Sequence, residues 1–177
     1  YFLFFLTLEQ IEVVLHPQSI VHSLVEYLDG SLLAQLGSPD MRIPISHALG
    51  FPERISNSEA TLDLLKVARL DFLAIDEKRY PCLSLAYQAL RIGGTATTIL
   101  NAANEIAVQA FLDGKIYFTD IAKLNQDVLE KIHSRPVSNL SIILEDDSLA
   151  REIAKEMILK HYSASETKIV RRESVIH

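Results

Sequence analysis

The sequence predicts an α+β chain in which a short antiparallel sheet comes before a bundle of helices. Two observations indicate this order. An Asp29-Gly30 turn lies between apolar runs, which is the pattern of a β-hairpin. After Pro81, in contrast, apolar residues recur every three or four positions, which is the period of an α-helix. We therefore expect a sheet region over residues 1–52, a linker over 53–78 and a helical bundle over 79–162.

The sheet region contains two predicted pieces. The β-branched run 12–15 indicates a short strand that ends before Pro17, because proline cannot continue a sheet ladder. A two-residue loop at Asp29-Gly30 then pairs the two arms of a hairpin, Leu28 with Ser31, Tyr27 with Leu32 and Val25 with Ala34. This register predicts one apolar face made of Val25, Tyr27, Leu32, Ala34 and Leu36.

A short helix is predicted after the hairpin. Residues 37–40 (Gly-Ser-Pro-Asp) have turn composition, and residues 41–49 are expected to be helical, with Pro44 tolerated near the first turn. Phe51-Pro52 ends this helix. Residues 53–75 show no persistent period, so we interpret them as part of the linker.

The first and third helices of the bundle follow from periodicity, and the second follows from a broadly apolar run that ends at Gly114. The first begins around Pro81, ends at Gly93-Gly94 and carries an apolar stripe of Leu83, Ala86, Tyr87 and Leu90. The second is predicted over residues 97–112. The third is predicted over residues 119–132, with an inner stripe of Ile121, Leu124 and Val128.

The fourth helix is predicted over residues 148–161. Ser148 is its expected N-cap, and Asp146-Asp147 supply favourable negative charge just before it rather than an acid/base pair. Ile153 and Met157 are expected to point inward. The last residues, 163–177, show no period, and we expect them to be disordered.

Composition narrows the function classes. The net charge is −6, and no clustered Lys and Arg occur except Arg171-Arg172, which argues against a nucleic-acid surface. The apolar opening, residues 1–6, is too short for a membrane span and lacks the basic flank of a signal peptide. The single cysteine, Cys82, cannot form an internal disulfide, which fits a reducing cytoplasm. We expect Cys82 to be a small buried residue at a helix start.

Three runs of sequence carry a resemblance to a known family. They are IEVVLHPQSIVHSLVEYLDGSLLAQLGSPDMRIPI over residues 11–45, RYPCLSLAYQAL over 79–90 and TTILNAANEIAVQAFLDGKIYFTDIA over 97–122. In this order they resemble 1-deoxy-D-xylulose 5-phosphate reductoisomerase, and the similarity extends over roughly residues 8–159. The chain contains no GxGxxG fingerprint and no Asp-Ser-Glu metal motif of that family. It therefore resembles a carboxy-terminal fragment, or a truncated product, of the reductoisomerase.

The resemblance implies a domain assignment, an enzymatic activity and a homodimer. Residues 1–52 would be the incomplete end of the catalytic and dimerisation domain, and residues 79–162 the C-terminal helical domain. The family reaction isomerises 1-deoxy-D-xylulose 5-phosphate and reduces it with NADPH to 2-C-methyl-D-erythritol 4-phosphate, using Mg2+ or Mn2+. The metal ligands would lie outside this chain. The expected partners are a phosphosugar substrate and a second copy of the chain, with no nucleic acid and no membrane.

The resemblance also points to three site residues. His22 resembles a histidine near the family's active site, where an imidazole could hold or polarise substrate. Pro39 and Met41 resemble residues that line the nicotinamide ring of NADPH, a contact that suits a polarizable thioether. From composition alone, residues 37–42 would be an ordinary turn whose methionine enters the core.

Other polar residues are better explained structurally. His16 and His22 could share a face and form a metal site with His47 or Asp40, but the spacing matches no known zinc pattern, and His16 is better explained as a hydrogen-bonding turn residue. Asn101 and Asn104 lie on one side of a helix, and we expect them to bridge backbone groups of neighbouring helices rather than to bind a ligand.

Two hypotheses remain open from the sequence. The chain is part of an active reductoisomerase, or it is a catalytically silent module in which a hairpin pairs subunits and a helical cap follows. The sequence upstream of Tyr1 in the gene would distinguish them, because it would either contain the missing metal and substrate motifs or lack them.

Overall fold

A computed structural model describes residues 1, 3–56 and 61–162, and the predicted tail 163–177 lies outside the described residues. The predicted α+β class is confirmed, with a two-stranded antiparallel sheet followed by helices. The elements are β1 Val21–Glu26, β2 Leu32–Leu36, α1 Arg42–Gly50, α2 Leu64–Val67, α3 Pro81–Ile92, α4 Ala96–Leu112, α5 Phe118–Lys131 and α6 Leu140–Met157. Among these described helices, none is long and apolar enough to cross a membrane.

The chain divides into two compact units. Residues Glu12–Ile75 form one, which we call the hairpin unit. Tyr1–Ile11 and the described residues from Asp76 onward form the other, which we call the helical unit. Within the helical unit, the hydroxyl of Tyr87 donates a hydrogen bond to the carbonyl of Ile11 over 3.0 Å, so the opening segment is tied to α3.

The hairpin differs from its predicted register by one residue. Tyr27 N–H donates to the Ser31 carbonyl and Gly30 N–H to the Tyr27 carbonyl, both over 2.9 Å, so the loop has three residues rather than two. Gly30 takes the left-handed position with φ +80°, as expected for the last residue of such a loop. The carboxylate of Asp29 accepts the Ser31 amide over 2.9 Å, and this bond stabilises the longer turn.

The shifted register exchanges the faces of the hairpin. Val25 pairs with Leu33, Leu24 with Ala34 and Glu26 with Leu32. The predicted pairs of Tyr27 with Leu32 and of Val25 with Ala34 are therefore wrong, and so is the predicted uniform apolar face. A slip of one residue moves every side chain to the other side of a sheet. Apolar side chains consequently lie on both faces, and the pairing is irregular between Val21 and Ser23.

The segments predicted as a strand and a linker pair with each other. The strand predicted over residues 12–15 is reduced to a single bridge, in which Leu15 and Leu73 exchange two backbone hydrogen bonds of 2.9 and 2.8 Å. The residues before Leu73 include the short helix α2, whose N-cap Asp63 accepts the amides of Leu65 and Lys66. This part of the chain has local order that periodicity does not reveal.

The helical unit follows the predicted helices with one correction. The helices predicted at 97–112 and 119–132 are α4 and α5, shifted by about one residue. The fourth helix, α6, begins at Leu140 rather than at residue 148. Its N-cap is Asn139, whose side chain accepts the Ile142 amide over 3.1 Å. Ser148, Asp146 and Asp147 therefore lie inside the helix, and the prediction that they mark its start is wrong.

The core of the helical unit is built around small residues on α4. Side chains on one face of α4 are almost completely buried, at Ala96, Ile99, Ala102, Ala103, Ala107 and Ala110. Across from them, the predicted α5 stripe of Ile121, Leu124 and Val128 is confirmed as buried. Ile153 and Met157 of α6 are partly buried against this core, also as predicted.

Helix α3 buries a different stripe from the predicted one. Its buried residues are Leu85 and Ala89, whereas Leu83, Ala86, Tyr87 and Leu90 are half-buried. Cys82, predicted to be buried at the start of this helix, is exposed. The buried stripe is displaced because α3 packs against its neighbours through the small residue Ala89. The period of apolar residues shows that a helix forms, but it does not show which neighbour the helix packs against.

An ion pair ties α6 to the start of α4. The Asp146 carboxylate is only 2% exposed and accepts two bonds from Arg135 Nε, of 3.1 and 3.3 Å, and one from Nη2. The backbone of Arg135 exchanges hydrogen bonds with Thr95 at the start of α4, each 3.0 Å long. Gly94 has no room for a Cβ, which would lie 2.4 Å from the Arg135 carbonyl oxygen.

Replacing Asp146 tests how much this ion pair contributes. Asp146→Asn should lower the free energy of unfolding by about 2 kcal/mol, because a buried charge-assisted hydrogen bond is weakened. Hydrogen bonding to the Arg135 side chain lowers the pKa of Asp146. The contribution is therefore fully present above the ordinary carboxyl pKa of about 3.9 and is lost as pH falls below it, through the lowered native value.

Urea unfolding at pH 7 and at acid pH measures this effect. The matched control is Glu156→Gln, which removes the exposed partner of Lys160 and should leave stability unchanged. Equal stability of Asp146→Asn and the parent chain at pH 7 would show that the ion pair does not contribute.

Candidate functional site

A cleft of about 650 Å³ lies in the hairpin unit and is the candidate functional site. Its walls come from β1, the turn after β2, and α1. Gly37 N–H donates to the carbonyl of buried Ile20 over 3.0 Å, which sets the turn against the start of β1. Helix α1 contributes Ile43, Pro44 and His47, which lie on one face at helical spacing.

The cleft brings together the three residues singled out from the sequence. His22, Pro39 and Met41 all line it. His22 stands at the irregular point of the hairpin, close enough to the turn that a Cβ on Gly37 would lie 3.8 Å from its Nε2. Met41 begins the helix with 71% of its surface exposed, so its thioether is available to a ligand rather than packed in the core.

Charged groups of the cleft are unevenly engaged. Asp40 is held by Arg42, which donates through its backbone amide over 2.9 Å and through its guanidinium over 2.6 to 3.1 Å. These hydrogen bonds, chiefly from the side chain, lower the pKa of Asp40. Arg54 also lines the cleft. The carboxylate of Asp40 is thus occupied by Arg42, and the other ionisable side chains among the described residues that line the cleft are those of His22, His47 and Arg54.

His47 is a cleft residue whose role the sequence did not indicate. The spacing suggested it only as a possible metal ligand. In the structure its ring lies edge-on to Phe51, with ring centroids 6.0 Å apart. Its Nδ1 is buried and has no hydrogen-bond partner among the described residues. The signal that could have found it is the helical spacing of His47 and Ile43 on one face of α1.

His16 does not line this cleft. Its Nδ1 lies 2.8 Å from the Asp71 carbonyl oxygen, and its ring stacks on Phe72 with centroids 4.9 Å apart. The interpretation of His16 as a structural hydrogen-bonding residue is therefore confirmed. Within residues 1, 3–56 and 61–162, no group of three His, Cys, Asp or Glu side chains is placed to hold a metal ion.

The two amides of α4 are both engaged, but differently. Asn104 accepts a hydrogen bond of 2.9 Å from the side chain of Asn125 on α5, so it bridges two helices, although its partner is a side chain and not the expected backbone group. Asn101 donates to Glu105 within the same helix over 3.1 Å and is exposed. Only one of the two residues therefore has the predicted bridging role.

Comparison with known proteins identifies relatives of this arrangement. A family model described as the DXP reductoisomerase C-terminal domain matches residues 36–153. The protein named 1-deoxy-D-xylulose 5-phosphate reductoisomerase from Nitrosospira multiformis is 59% identical over 150 residues, which cover 85% of this chain and 38% of the relative. The protein of the same name from Nitrosococcus oceani is 54% identical over 153 residues, covering 86% and 39%.

Solved structures of similar proteins agree. The reductoisomerase from Zymomonas mobilis in complex with NADPH superposes with a TM-score of 0.80 at 47% identity, covering 88% of this chain and 41% of that one. A DOX-P reductoisomerase in complex with NADPH, fosmidomycin and magnesium gives a TM-score of 0.79 at 48% identity, covering 86% and 40%.

The fold and the cleft define an α+β chain with a ligand-sized cavity in its hairpin unit. The chain belongs to the DXP reductoisomerase family, through its C-terminal domain. It spans less than half the length of the relatives that it matches.

The different roles of His16 and His22 give a test of the site. His16→Ala should lower the free energy of unfolding by about 1 to 2 kcal/mol, because it removes a hydrogen bond and a ring stack. His22→Ala, at an exposed position of the same unit, should leave stability unchanged within about 0.5 kcal/mol. Urea unfolding measures both. If His22→Ala destabilised the chain as much as His16→Ala, His22 would be a structural residue rather than a site residue.

Proposed function

We propose that this chain is the carboxy-terminal part of a reductoisomerase that converts 1-deoxy-D-xylulose 5-phosphate into 2-C-methyl-D-erythritol 4-phosphate with NADPH. The observation that carries the proposal is the cleft of the hairpin unit, on which His22, Pro39 and Met41 converge in a chain 59% identical to a protein of that name. In this proposal residues 1–52 belong to the catalytic domain, 53–78 to the linker and 79–162 to the helical domain.

The cleft fits the nicotinamide end of NADPH. NADPH supplies a hydride when it is bound. Pro39 and Met41 are the residues proposed to hold its ring, because a rigid pyrrolidine and an exposed thioether offer an apolar surface to a planar heterocycle. Holding the ring against one wall fixes its orientation toward substrate, and correct orientation is a large part of catalysis in two-substrate reactions.

His22 is proposed to contact the substrate. It lies on the strand that faces the turn of Pro39 and Met41, so a molecule beside the nicotinamide would be within its reach. A neutral imidazole can donate through one nitrogen and accept through the other. His22 can therefore orient a hydroxyl or carbonyl group of a phosphosugar and hold a proton at that position.

The described residues do not fit the divalent metal. No cluster of three suitable ligands occurs among them, and Asp40, whose carboxylate is the only one among the described residues that line the cleft, is occupied by Arg42. We propose that Mg2+ or Mn2+ is held by carboxylates outside this chain, and we assign no catalytic step of these residues to the metal.

The proposed function can be tested by joining the upstream part of a relative to this chain. The chain alone should show no substrate-dependent NADPH oxidation, with either metal. The same chain placed behind the upstream part of the Nitrosospira multiformis relative, which we call the joined protein, should oxidise NADPH when the substrate is added. An inactive joined protein that binds NADPH and metal normally would overturn the proposal and would favour the silent module.

Two substitutions in the joined protein test the site residues. Met41→Ala should raise the KM for NADPH about tenfold, which corresponds to about 1.4 kcal/mol of lost binding, without loss of fold. His22→Ala should lower kcat/KM for the substrate about a hundredfold, the lower end of the range for a proton-handling side chain. The control is His133→Ala, an exposed residue of the helical unit, which should keep parental constants. Parental kinetics in both site variants would remove this cleft from the active site.

Homodimerisation in the cytoplasm is the last part of the proposal. The hairpin leaves Leu24 and Leu32 exposed on one face and Val25 and Leu33 on the other, at 41% to 64% of their surface. A two-stranded sheet is marginal by itself, and a hairpin with exposed apolar side chains on both faces favours pairing with another chain. The same observation supports the second candidate function, a silent module that pairs subunits.

Light scattering tests the pairing. The chain should be dimeric or larger at tens of micromolar, and Leu33→Glu should shift it toward the monomer, because a charge would have to be buried at the interface. The matched control is Leu65→Glu, because Leu65 of α2 lies in the same unit and is 93% exposed. This substitution should leave the oligomeric state unchanged. A soluble monomer formed by the parent chain would contradict the proposed dimer.

A further inference from the structure

Arg54 is a charged residue of the cleft to which the proposed chemistry gives no role. It follows shortly after the end of α1 and lines the cleft together with His22, Pro39 and Met41. The cleft has a volume of about 650 Å³, which is within the range of about 300 to 1,000 Å³ that is usual for small-molecule sites. A ligand held by Pro39 and Met41 would therefore share one cavity with Arg54.

Two contacts fix the backbone on either side of Arg54. Before it, Glu53 N–H donates to the Gly50 carbonyl over 2.9 Å. After it, Ile55 packs so closely on Gly50 that a Cβ at Gly50 would have no room. The chain around Arg54 is thus held against the end of α1. A residue on a fixed backbone has less conformational freedom to lose when it binds a ligand, which favours binding.

No carboxylate of the described residues balances the charge of Arg54. Arg42 already neutralises Asp40, whose carboxylate is the only one among the described residues that line the cleft. Other arginines are paired with carboxylates, namely Arg42, Arg69, Arg135 and Arg151. The chain as a whole is acidic, with 23 Asp and Glu against 17 Lys and Arg. The described lining of the cleft therefore carries an excess of positive charge in an acidic chain.

The position of Arg54 near a helix end also allows a structural explanation. A positive charge at the C-terminus of a helix interacts favourably with the helix dipole, but this effect is confined to about the last turn. Arg54 lies beyond α1 and follows Phe51-Pro52, and it donates no hydrogen bond to the carbonyls of α1 among the described residues. An unbalanced guanidinium in a ligand-sized cleft is better explained as part of a site for an anion.

We propose that Arg54 binds a phosphate group of the ligand that occupies this cleft. A guanidinium donates two parallel hydrogen bonds to phosphate oxygens, a geometry that the point charge of a lysine does not offer. Two phosphates are candidates, the one next to the nicotinamide ribose of NADPH and the one on the phosphosugar. The inference rests on the proposed function, because that proposal supplies both ligands. It adds to the cleft a residue that holds the charged end of a ligand.

Two pairs of ligands that differ only in a phosphate group test the inference and identify the phosphate. The first pair is reduced nicotinamide mononucleotide and reduced nicotinamide riboside. The second pair is 1-deoxy-D-xylulose 5-phosphate and 1-deoxy-D-xylulose. Isothermal titration calorimetry on this chain, at constant ionic strength, should give about tenfold tighter binding of the phosphorylated compound in one of the two pairs. The pair that shows the preference identifies the phosphate that Arg54 binds.

Substitutions assign the preference to Arg54. Arg54→Ala should reduce the ratio of the two dissociation constants to below about threefold, and Arg54→Lys should retain part of it, because lysine keeps the charge but not the paired donors. The matched control is Arg69→Ala, which removes an exposed arginine of the same unit that pairs with Asp71 outside the cleft. This control should keep the parental ratio. The urea midpoint of Arg54→Ala should equal that of the parent chain.

The outcomes separate the inference from the proposed function, because binding is measured without turnover. Equal affinities within both pairs, or no binding of either phosphorylated compound at millimolar concentration, would overturn the inference. A preference that Arg54→Ala leaves intact would do the same, as would a lower urea midpoint of Arg54→Ala, which would make Arg54 a structural residue. A preference that depends on Arg54, combined with an inactive joined protein, would support the inference and contradict the proposed reaction.

Discussion

The close packing of α4 is the constraint on which the helical unit depends. Its buried face is made mostly of alanines, so α5 and α6 can approach its backbone closely, and the small residues Ala150 and Ala154 of α6 are fully buried. Larger side chains on α4 would separate the helices and the cavities between them would change shape. The position of Asn104 opposite Asn125 follows from the same packing, since a 2.9 Å bond between their side chains needs neighbouring helices at short range.

The sequence predicted the helices better than the hairpin because the two depend on different information. A long apolar run located α4, and periodicity located α5 with its buried residues Leu124 and Val128. The hairpin register depends on one turn, and Asp29-Gly30 is compatible with loops of two or three residues. The bond from the Ser31 amide to Asp29 stabilises the longer loop, and no periodic pattern encodes it. The start of α6 was misplaced for a similar reason, because one cap at Asn139 determines it.

The residues of the candidate site could be predicted from the sequence only through its resemblance to the reductoisomerase family. Nothing in the spacing of His22, Pro39 and Met41 shows that they meet, since they are separated by the second strand of a hairpin and a turn. The structure brings them to one cleft and adds His47, which lies one helical turn after Ile43. It also separates His16 from His22, which the spacing could have placed together, because His16 is held by Asp71 and Phe72.

The two units differ in which of their polar side chains are already paired, and this difference limits the chemistry that each can perform. In the cleft of the hairpin unit, the carboxylate of Asp40 is occupied by Arg42, so the lining residues can orient a ring and hold a proton but cannot assemble a carboxylate cluster. In the helical unit, charged side chains are mostly satisfied by each other, as in the pairs of Arg151 with Asp147 and Glu105. Among the described residues of the helical unit, the one buried side-chain oxygen without a hydrogen-bond partner is Oδ1 of Asn125, whose amide nitrogen donates to Asn104. Burying a neutral amide costs less free energy than burying an unpaired charge, so the helical unit can hold Asn125 in its interior while its charged side chains pair with each other.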